Sequence, residues 1–260
     1  MYRQNRLKRH LSDGGKALGC WLQMASAPAA EIIGQAGFDC VIIDNEHAPG
    51  DVVMAISQMR ALAASPATVL VRVPWNDLVH IKRTLDAGAE GVMIPYVNSA
   101  EEARAAAAAC FYPPAGNRGA ALGAIRAADY GRAREEYLAT INDNLFIILQ
   151  IETARAIEAI PEIAAAEGVD MLFLGPTDLS ADIGKLGQGS DPELLALIER
   201  AEAAIKASGK LMGTIAYAGS SLDEINARGY DLVVAASDVA LLREGADAKI
   251  AAAAPIIGKG

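Results

Sequence analysis

Short apolar runs alternate with segments of helical spacing along the whole chain. A run such as Phe146 to Leu149 is apolar at every position, which is typical of a strand covered on both faces in a parallel sheet. The segments between the runs carry apolar residues at helical intervals, as at Leu78, Ile81 and Leu85. Eight runs are predicted strands: Ala17–Gln23, Asp39–Asp44, Thr68–Val73, Gly91–Val97, Leu145–Glu152, Met171–Gly175, Leu211–Tyr217 and Asp231–Ala236.

Glycines mark the ends of several predicted helices. Gly37, Gly88, Gly168 and Gly209 each stand shortly before a predicted strand, where a left-handed residue commonly ends a helix. Eight strand–helix units in 260 residues, joined by parallel crossovers, predict a (β/α)8 TIM barrel that occupies residues 1–260 as a single domain. The alternative is a doubly wound open sheet. It is disfavoured because no glycine-rich dinucleotide fingerprint follows the first predicted strand.

One connection, from Phe111 to Asn144, is much longer than the others. Pro113-Pro114 excludes a helix at its start, and a polar stretch through Tyr130 and Tyr137 is predicted to be helical. Two interpretations stay open. Loops of this length are commonly lids, binding loops or interface elements, but the segment could also be a structural connector on the lower face of the barrel.

The acidic composition limits the classes of partner. A net charge of −9 argues against nucleic acid, because phosphate binding needs a basic face. Cys20, Cys40 and Cys110 form no CxxC pair, which favours reduced thiols in a cytoplasmic protein, and Cys20 and Cys40 are predicted to be buried. Apolar runs fall short of the roughly 20 residues that span a bilayer, and Ser12-Asp-Gly-Gly15 stands where a signal peptide would be apolar. We therefore expect a cytoplasmic protein with no membrane partner.

Two neighbouring predicted strands end in carboxylates. Glu152 closes the fifth strand, and Asp178 follows the sixth. In α/β barrels the carboxyl ends of the strands carry the chemistry, and the ends of adjacent strands lie close together. With oxygen ligands and no Cys/His cluster, the pair predicts a hard divalent cation, Mg²⁺ or Mn²⁺, whose shell water completes. Such a site could bind a 2-oxo acid and polarise its keto oxygen.

Each acid also has a structural interpretation. Glu152 could favour the start of the helix that begins at Thr153, and Asp178 could cap a short turn at Leu179-Ser180. It is less economical to suppose that both acids have only these structural roles, because the two strands are neighbours. Gln150 lies two residues before Glu152 and faces the same side of the sheet, where we predict that it holds water or substrate.

Arg72 lies inside the apolar run Val69-Leu-Val-Arg-Val-Pro74. A guanidinium that leaves water is unfavourable unless an acceptor meets it. One interpretation is a neighbouring carboxylate as the partner. The preferred prediction is that Arg72 points to the barrel mouth and binds a substrate oxyanion, because its forked donors suit carboxylates and enolates.

The second predicted strand ends in a polar turn, Asp44-Asn-Glu-His-Ala-Pro-Gly50. We predict that His47 is a general acid/base, because histidine as a residue type changes charge near neutral pH. Asp44 and Glu46 accompany His47 at the strand end. His80 lies on a predicted helix without such neighbours and is predicted to be structural.

Four segments carry a resemblance to a known family: Gly37-Phe-Asp-Cys-Val-Ile-Ile-Asp-Asn-Glu-His-Ala-Pro-Gly-Asp51, Tyr112-Pro-Pro-Ala-Gly-Asn-Arg-Gly119, Gln150-Ile-Glu152 and Leu174-Gly-Pro-Thr-Asp-Leu-Ser180. They resemble the HpcH/HpaI family of metal-dependent (class II) pyruvate aldolases, which includes the 4-hydroxy-2-oxoheptanedioate and 2-dehydro-3-deoxyglucarate aldolases. The resemblance covers nearly the whole chain. It implies a TIM barrel that reversibly cleaves 4-hydroxy-2-oxo acids to an aldehyde and pyruvate, or a related 2-oxo acid such as hydroxypyruvate, through a metal-stabilised enolate. The implied cofactor is Mg²⁺, Mn²⁺ or Co²⁺.

The resemblance also implies roles for single residues. It assigns the metal to Glu152 and Asp178, the acid/base role to His47, and the keto oxygen and enolate to Arg72. Asp44 would lie near the water shell of the metal.

Further implied roles concern the donor and a second subunit. Asp86 would reach His47 from a neighbouring subunit. Family members are usually hexamers, trimers of dimers, in which the C-terminal helix is exchanged between partners, so a homo-oligomer is expected. The donor would be contacted by Gln150 and by backbone amides around Gly175, Thr177 and Asp178.

Two departures and several rival functions accompany the resemblance. Asn45 stands where relatives often have glycine, and Thr177 where many have alanine, which leaves the donor preference open.

The alternative function is a citramalyl- or malyl-CoA lyase with the same enolate chemistry, although no cationic cluster for a CoA tail lies near the predicted mouth. Lysine ends none of the predicted strands, which disfavours a Schiff-base aldolase. A phosphate-binding isomerase would depend on the weak cradle Tyr217-Ala-Gly-Ser-Ser221 with Ala236-Ser-Asp238, and a non-catalytic binding protein would not need His47.

Overall fold

The predicted apolar runs form parallel strands that close into a barrel in chain order. The structure is a computed structural model and describes residues 2–216 and 220–257. Its strands are β1 (Ala17–Leu22), β2 (Cys40–Asp44), β3 (Thr68–Arg72), β4 (Gly91–Ile94), β5 (Phe146–Ile151), β6 (Met171–Leu174), β7 (Leu211–Ile215) and β8 (Leu232–Ser237). The pairing of β1 with β8 closes the ring. The TIM-barrel prediction is therefore confirmed, and the open sheet is excluded.

Helices alternate with the strands and cover the outside of the barrel. In the described ranges the α-helices are α1 (Arg6–Ser12), α2 (Ala27–Gly34), α3 (Val52–Ala61), α4 (Leu78–Asp86), α5 (Ala100–Cys110), α6 (Arg134–Asn144), α7 (Ala154–Glu158), α8 (Ile160–Ala164), α9 (Pro176–Asp182), α10 (Pro192–Ser208), α11 (Leu222–Ala227) and α12 (Asp238–Ile257). None of these described helices combines the length and the apolar character of a membrane span.

Side chains from alternate strand positions fill the interior of the barrel. Ile42, Leu70, Met93, Ile148 and Phe173 lie in one buried cluster. Leu7 and Leu11 of α1 belong to the same cluster, so this helix closes the amino end of the barrel. The interior is thus packed below the rim, and the carboxyl ends of the strands are left as the open mouth.

Two predicted strands extend two or more residues beyond the observed ends. The fourth ends at Ile94 rather than Val97, because Pro95 cannot donate to a ladder and Tyr96 has a left-handed backbone with a φ of +58°. The seventh was predicted to reach Tyr217, whereas β7 ends at Ile215 and Tyr217 lies outside the described residues. Ala218 and Gly219 of the weak phosphate cradle also lie outside them.

The long connection between α5 and β5 packs at the amino end of the barrel. Arg126 donates to the carbonyl of Ala87 over 2.9 Å, and the Asn144 side chain accepts from the amide of Asn5 over 2.7 Å. The stretch predicted to be helical is helical only in its second half, as α6. Residues 126–131 before it form a 3-10 turn in which Asp129 and Tyr130 have a left-handed backbone. These contacts favour the structural connector over a lid across this chain's own mouth.

Four acids at the amino end link neighbouring strands in pairs. Each stands directly before an even-numbered strand, donates its own amide to a carbonyl at the start of the preceding strand, and accepts an amide from that strand through its carboxylate. Asp39 accepts the amide of Leu18 (2.9 Å), Glu90 that of Val69 (2.8 Å), Asp170 that of Ile147 (2.8 Å) and Asp231 that of Met212 (2.8 Å). The carboxylates thereby pair amides that begin the odd-numbered strands.

Candidate active site

The carboxyl ends of four strands bring the predicted site residues to one rim. Asp44 ends β2 and Arg72 ends β3, and the two residues are direct neighbours in the strand register. Glu152 follows β5, and Asp178 lies in the first turn of α9, after β6. The strand order of the barrel therefore brings together residues that are far apart in sequence.

Arg72 is buried and is held on three sides. Its Nε and Nη2 donate to the two carboxylate oxygens of Asp44 over 2.9 and 2.6 Å. Its Nη1 forms an ion pair with Glu46 Oε2 at 3.0 Å, and its guanidinium carbon lies 4.3 Å above the ring of Trp21. The carboxylate interpretation of Arg72 is thus observed. Two of the five N–H donors go to Asp44, so donors of the fixed guanidinium remain available at the rim.

Asp44 anchors the loop that follows β2. Its Oδ1 accepts the backbone amides of Glu46 (3.1 Å) and His47 (3.3 Å), and its Oδ2 accepts from the side chain of Gln23 at 3.0 Å. Burial alone would raise the pKa of Asp44, but the hydrogen bonds and charge of Arg72 outweigh it and hold this pKa below its ordinary value. Asp44 is therefore a fixed anion that positions Arg72 and the following loop.

His47 extends from this loop over the mouth of the barrel. Its side chain is 57% exposed, and its Nε2 lies 3.7 Å from Glu46 Oε2. Glu46 is 15% exposed and bridges between His47 and Arg72. Burial raises the pKa of Glu46; Arg72 and His47 lower it, and the charges of Asp44 and Asp178 raise it again. The predicted acid/base and the predicted oxyanion-binding residue thus share a carboxylate neighbour.

Glu152 is 2% exposed and has no cationic partner among the described residues. Its Oε1 accepts the amide of Tyr96 over 2.7 Å, and its Oε2 accepts from Gln150 Nε2 over 3.0 Å. Burial raises the pKa of Glu152 to about 7, and the charges of Asp178 and Glu46 add to this. A buried carboxylate in this condition gains stability from a nearby cation.

Gly175 leaves the space that Glu152 occupies. A Cβ at Gly175 would lie 2.7 Å from Glu152 Oε2, which is closer than side chains tolerate. The amide of Gly175 donates to the carbonyl of Ile151 over 3.1 Å, so this amide is already used within the barrel. Gly175 therefore shapes the pocket by lacking a side chain. Of the three backbone amides that were expected to bind the donor carboxylate, those of Thr177 and Asp178 remain.

The capping interpretations of the two acids are not observed. Thr153 is the N-cap of α7 and accepts the amide of Ala156 over 3.0 Å. Gly175 is the N-cap of α9 and places Asp178 within its first turn. Asp178 is half-buried, and its carboxylate has no hydrogen bond or ion pair within residues 2–216 and 220–257. Thr177 beside it is exposed.

The charges and donor atoms at the rim fit a divalent cation. Asp44, Glu46, Glu152 and Asp178 face a single guanidinium, so negative charge is in excess, and Gln150 Oε1 is buried with no hydrogen-bond partner. In the described part of the chain, no three His, Cys, Asp or Glu side chains converge closely enough to form a metal site by themselves. The residues fit an ion that takes two carboxylates and fills its remaining positions with water or substrate.

Asp86 lies away from this rim. It ends α4, at the amino end of the barrel, where its Oδ1 accepts from Arg118 Nη2 over 2.7 Å. Arg118 is fully buried and stacks on Tyr112 with a guanidinium-to-ring distance of 4.6 Å. Within one subunit Asp86 and His47 belong to opposite ends of the barrel, so the expected contact between them requires a second subunit.

Sequence reasoning missed three contributors to the site. Tyr96 gives its amide to Glu152 from a left-handed backbone, and the signal for it was Pro95 after an apolar run. Trp21, in β1, packs against Arg72. Glu46 was noted only as a neighbour of His47, although the same turn had marked it as ionisable.

Comparison with known proteins gives a consistent family. Residues 17–245 match the family model described as HpcH/HpaI aldolase/citrate lyase. A 4-hydroxy-2-oxo-heptane-1,7-dioate aldolase from Salmonella typhimurium is 40% identical over 245 residues, which cover 94% of this chain and 93% of that protein. A protein of the same name from Escherichia coli is 42% identical over 212 residues, which cover 82% and 80%.

A solved structure is similar over almost the whole barrel. It is an HpcH/HpaI aldolase/citrate lyase family protein from Burkholderia cenocepacia, with a TM-score of 0.90 and 38% sequence identity. The match covers 95% of this chain and 98% of that one. The similarity therefore includes the strands and loops that carry the rim residues.

Proposed function

The chain belongs to the HpcH/HpaI aldolase/citrate lyase family and is a carbon–carbon lyase, and on that premise we propose its substrates and the roles of its rim residues. It reversibly cleaves 4-hydroxy-2-oxo acids to an aldehyde and pyruvate, or a related 2-oxo acid such as hydroxypyruvate. The observation that carries this proposal is the buried carboxylate of Glu152, which forms no ion pair among the described residues, on the same rim as the fixed guanidinium of Arg72.

Glu152 and Asp178 would hold a divalent cation, Mg²⁺, Mn²⁺ or Co²⁺. Both offer oxygen atoms, and Glu152 is oriented by the Tyr96 amide and by Gln150. When bound, such an ion supplies Lewis-acid polarisation of a donor keto oxygen. The unpartnered Oε1 of Gln150 is an additional acceptor for water or substrate in the same pocket.

Arg72 binds the donor oxygen that carries negative charge in the enolate. Asp44 and Trp21 hold its guanidinium in place before substrate arrives, so little reorganisation is needed during the reaction. The donor carboxylate is held by the amides of Thr177 and Asp178, which lie in the first turn of α9 and have no partner within that helix. The hydroxyl of Thr177 lies beside this position and would influence the choice between pyruvate and hydroxypyruvate.

His47 moves the proton of the substrate hydroxyl, through a water molecule. In the cleavage direction it accepts the proton from the 4-hydroxyl group, the C3–C4 bond breaks, and the electron pair moves to the enolate oxygen beside Arg72. C4 leaves as the carbonyl carbon of the aldehyde, a proton from water adds to C3 of the enolate to give the 2-oxo acid, and His47 returns the proton that it took to water. The exposed position of His47 leaves room for an acceptor of variable length.

We propose that the enzyme is a homo-oligomer, a hexamer built as a trimer of dimers with α12 exchanged between subunits. Support comes from α12, a helix of 20 residues whose side chains Leu242 (60%), Ile250 (67%) and Ile256 (84%) are largely exposed in one subunit. Exposed apolar residues in this number are typical of an interface. A neighbouring subunit would also bring its Asp86 to His47.

The test is pyruvate release from a panel of 4-hydroxy-2-oxo acids. We expect turnover to disappear with EDTA and to return when Mg²⁺, Mn²⁺ or Co²⁺ is restored. Borohydride added with pyruvate should leave the mass of the protein unchanged, since the mechanism needs no Schiff base. Turnover that survives complete metal removal, or a covalent adduct trapped by borohydride, would contradict the proposal.

A further inference from the structure

Glu46 is a carboxylate at the rim to which the proposed mechanism gives no role. We propose that Glu46 is a positioning residue: it holds the imidazole of His47 at the mouth of the barrel and acts on the reaction through that ring. This inference rests on the proposed aldol cleavage. It adds a residue that neither binds the metal nor contacts the donor.

The geometry of Glu46 links the two groups that handle charge in the reaction. Its Oε2 lies 3.0 Å from Arg72 Nη1 and 3.7 Å from His47 Nε2. Arg72 is itself fixed by two hydrogen bonds to Asp44, so one end of this chain of contacts is rigid. A single carboxylate oxygen of Glu46 therefore lies near both the buried guanidinium and the exposed imidazole.

The acceptor atom of Glu46 is available for this purpose. Oε2 is buried yet has no hydrogen-bond donor, because neither contact has hydrogen-bond geometry in this state. A small rotation of the His47 ring would allow its Nε2–H to donate to that oxygen. A buried acceptor without a donor is unfavourable, so the pairing would be favoured when the ring carries a proton.

Within one subunit, the His47 ring has little else to orient it. Its backbone amide is fixed by Asp44 Oδ1, but its side chain is 57% exposed. In residues 2–216 and 220–257, no acid other than Glu46 lies within 4.0 Å of a ring nitrogen of His47. When His47 takes the proton from the substrate hydroxyl, the new positive charge forms next to the Glu46 carboxylate.

Charge retention and side-chain shape can be separated with two variants. E46Q keeps the size of the side chain and removes its charge, whereas E46D keeps the charge on a shorter side chain. If Glu46 acts through the charge of its carboxylate, we expect E46Q to lower kcat by about 10- to 100-fold, with E46D closer to the wild type. The KM for the substrate should change by less than about threefold in E46Q, because the two hydrogen bonds from Arg72 to Asp44 still hold the guanidinium that binds the donor.

A double-mutant cycle with H47A tests whether the effect runs through His47. In the H47A background, which lacks the imidazole, E46Q should cause little further loss of kcat. The loss in the double variant should therefore be smaller than the product of the losses in E46Q and H47A. The matched control is E90Q, because Glu90 is also a poorly exposed carboxylate paired with an arginine, Arg3, but at the opposite end of the barrel. E90Q should leave kcat unchanged in both backgrounds.

Several outcomes would overturn the proposal. One is a kcat of E46Q that is closer to the wild type than that of E46D. Another is a pair of losses that multiply in the double-mutant cycle. A third is a fall in the unfolding midpoint of E46Q that matches its loss of activity. Absence of pyruvate release from the wild-type protein would be a different result, which contradicts the proposed function and not the link between Glu46 and His47.

Discussion

Two acidic residues at the carboxyl end of the barrel differ in their partners from four at the amino end. At the amino end, Asp39, Glu90, Asp170 and Asp231 each accept a backbone amide from the neighbouring strand, and Glu90 and Asp170 also pair with Arg3 and Lys8. At the carboxyl end, Glu152 and Asp178 have no cationic partner among the described residues. The difference indicates that the first set contributes to stability and the second is kept for binding. Acids that remain unpaired at an active-site rim are expected to cost stability and to supply function.

Replacing Glu152 should give the largest effect on activity and no loss of stability. We expect E152Q to lower kcat by about a thousandfold or more, since a ligand of the cation is removed. The pKa of Glu152 in the folded protein, about 7, lies above its ordinary value of 4.5. Between these pH values the folded protein therefore binds more protons than the unfolded chain, so ionising Glu152 lowers the free energy of unfolding as the pH rises. Denaturant unfolding at pH 8 without metal should therefore show E152Q at least as stable as the wild type, with the difference fading toward pH 4.5. A less stable E152Q at pH 8 would contradict the comparison.

The corresponding change at the amino end should have the reverse pattern. D170A removes the acceptor of the Ile147 amide and leaves Lys8 without its partner at 3.0 Å. We expect the free energy of unfolding to fall by about 1–3 kcal/mol, because a buried donor loses its bond. Turnover should stay within about twofold of the wild type below the unfolding transition, since this residue lies far from the rim. A D170A variant with native stability and reduced kcat would break the assignment of this end to stability.

Metal binding should depend on pH through Glu152. The proton held by this carboxylate below about pH 7 competes with the cation, so affinity should fall by about tenfold per pH unit as the pH decreases from there. Calorimetric titration with Mn²⁺ in buffers of different ionisation enthalpy should show about one proton released per ion at pH 6, and close to none at pH 9. Equal proton release at both pH values would show that the binding carboxylate is already ionised.

Thr177 should give the smallest effect and should alter selectivity alone. Its exposed side chain lies beside the proposed donor-carboxylate position. T177A is expected to change the ratio of kcat/KM for hydroxypyruvate and pyruvate in the aldol direction by about two- to fivefold. Its stability should match the wild type. An unchanged ratio would place the donor elsewhere.

The sequence predicts the barrel and most of its rim, because both depend on local patterns. Apolar runs define the strands, and residues that end a strand must lie at the same edge whatever else the chain does. Glu152, Asp178, Arg72 and Asp44 were found in this way. The end of β4 was wrong by three residues, because a run of apolar letters does not reveal the left-handed backbone at Tyr96.

Contacts between distant segments could not be predicted from one sequence. The pairing of Arg72 with Asp44 depends on the register of β2 against β3, and the Tyr96 amide reaches Glu152 across 56 residues. The two-point contacts of Asp39, Glu90, Asp170 and Asp231 also depend on which strand lies beside which. The predicted strand order alone does not give these contacts, because the register within each pair of strands is also needed.

Crystals grown with Mn²⁺ test the central claim most directly. Anomalous scattering should place one ion at the open rim, bound by a carboxylate oxygen of Glu152 and one of Asp178, with oxygen atoms of water or donor in its other positions. An ion bound elsewhere, or these two carboxylates turned away from each other in crystals that contain Mn²⁺, would contradict the account.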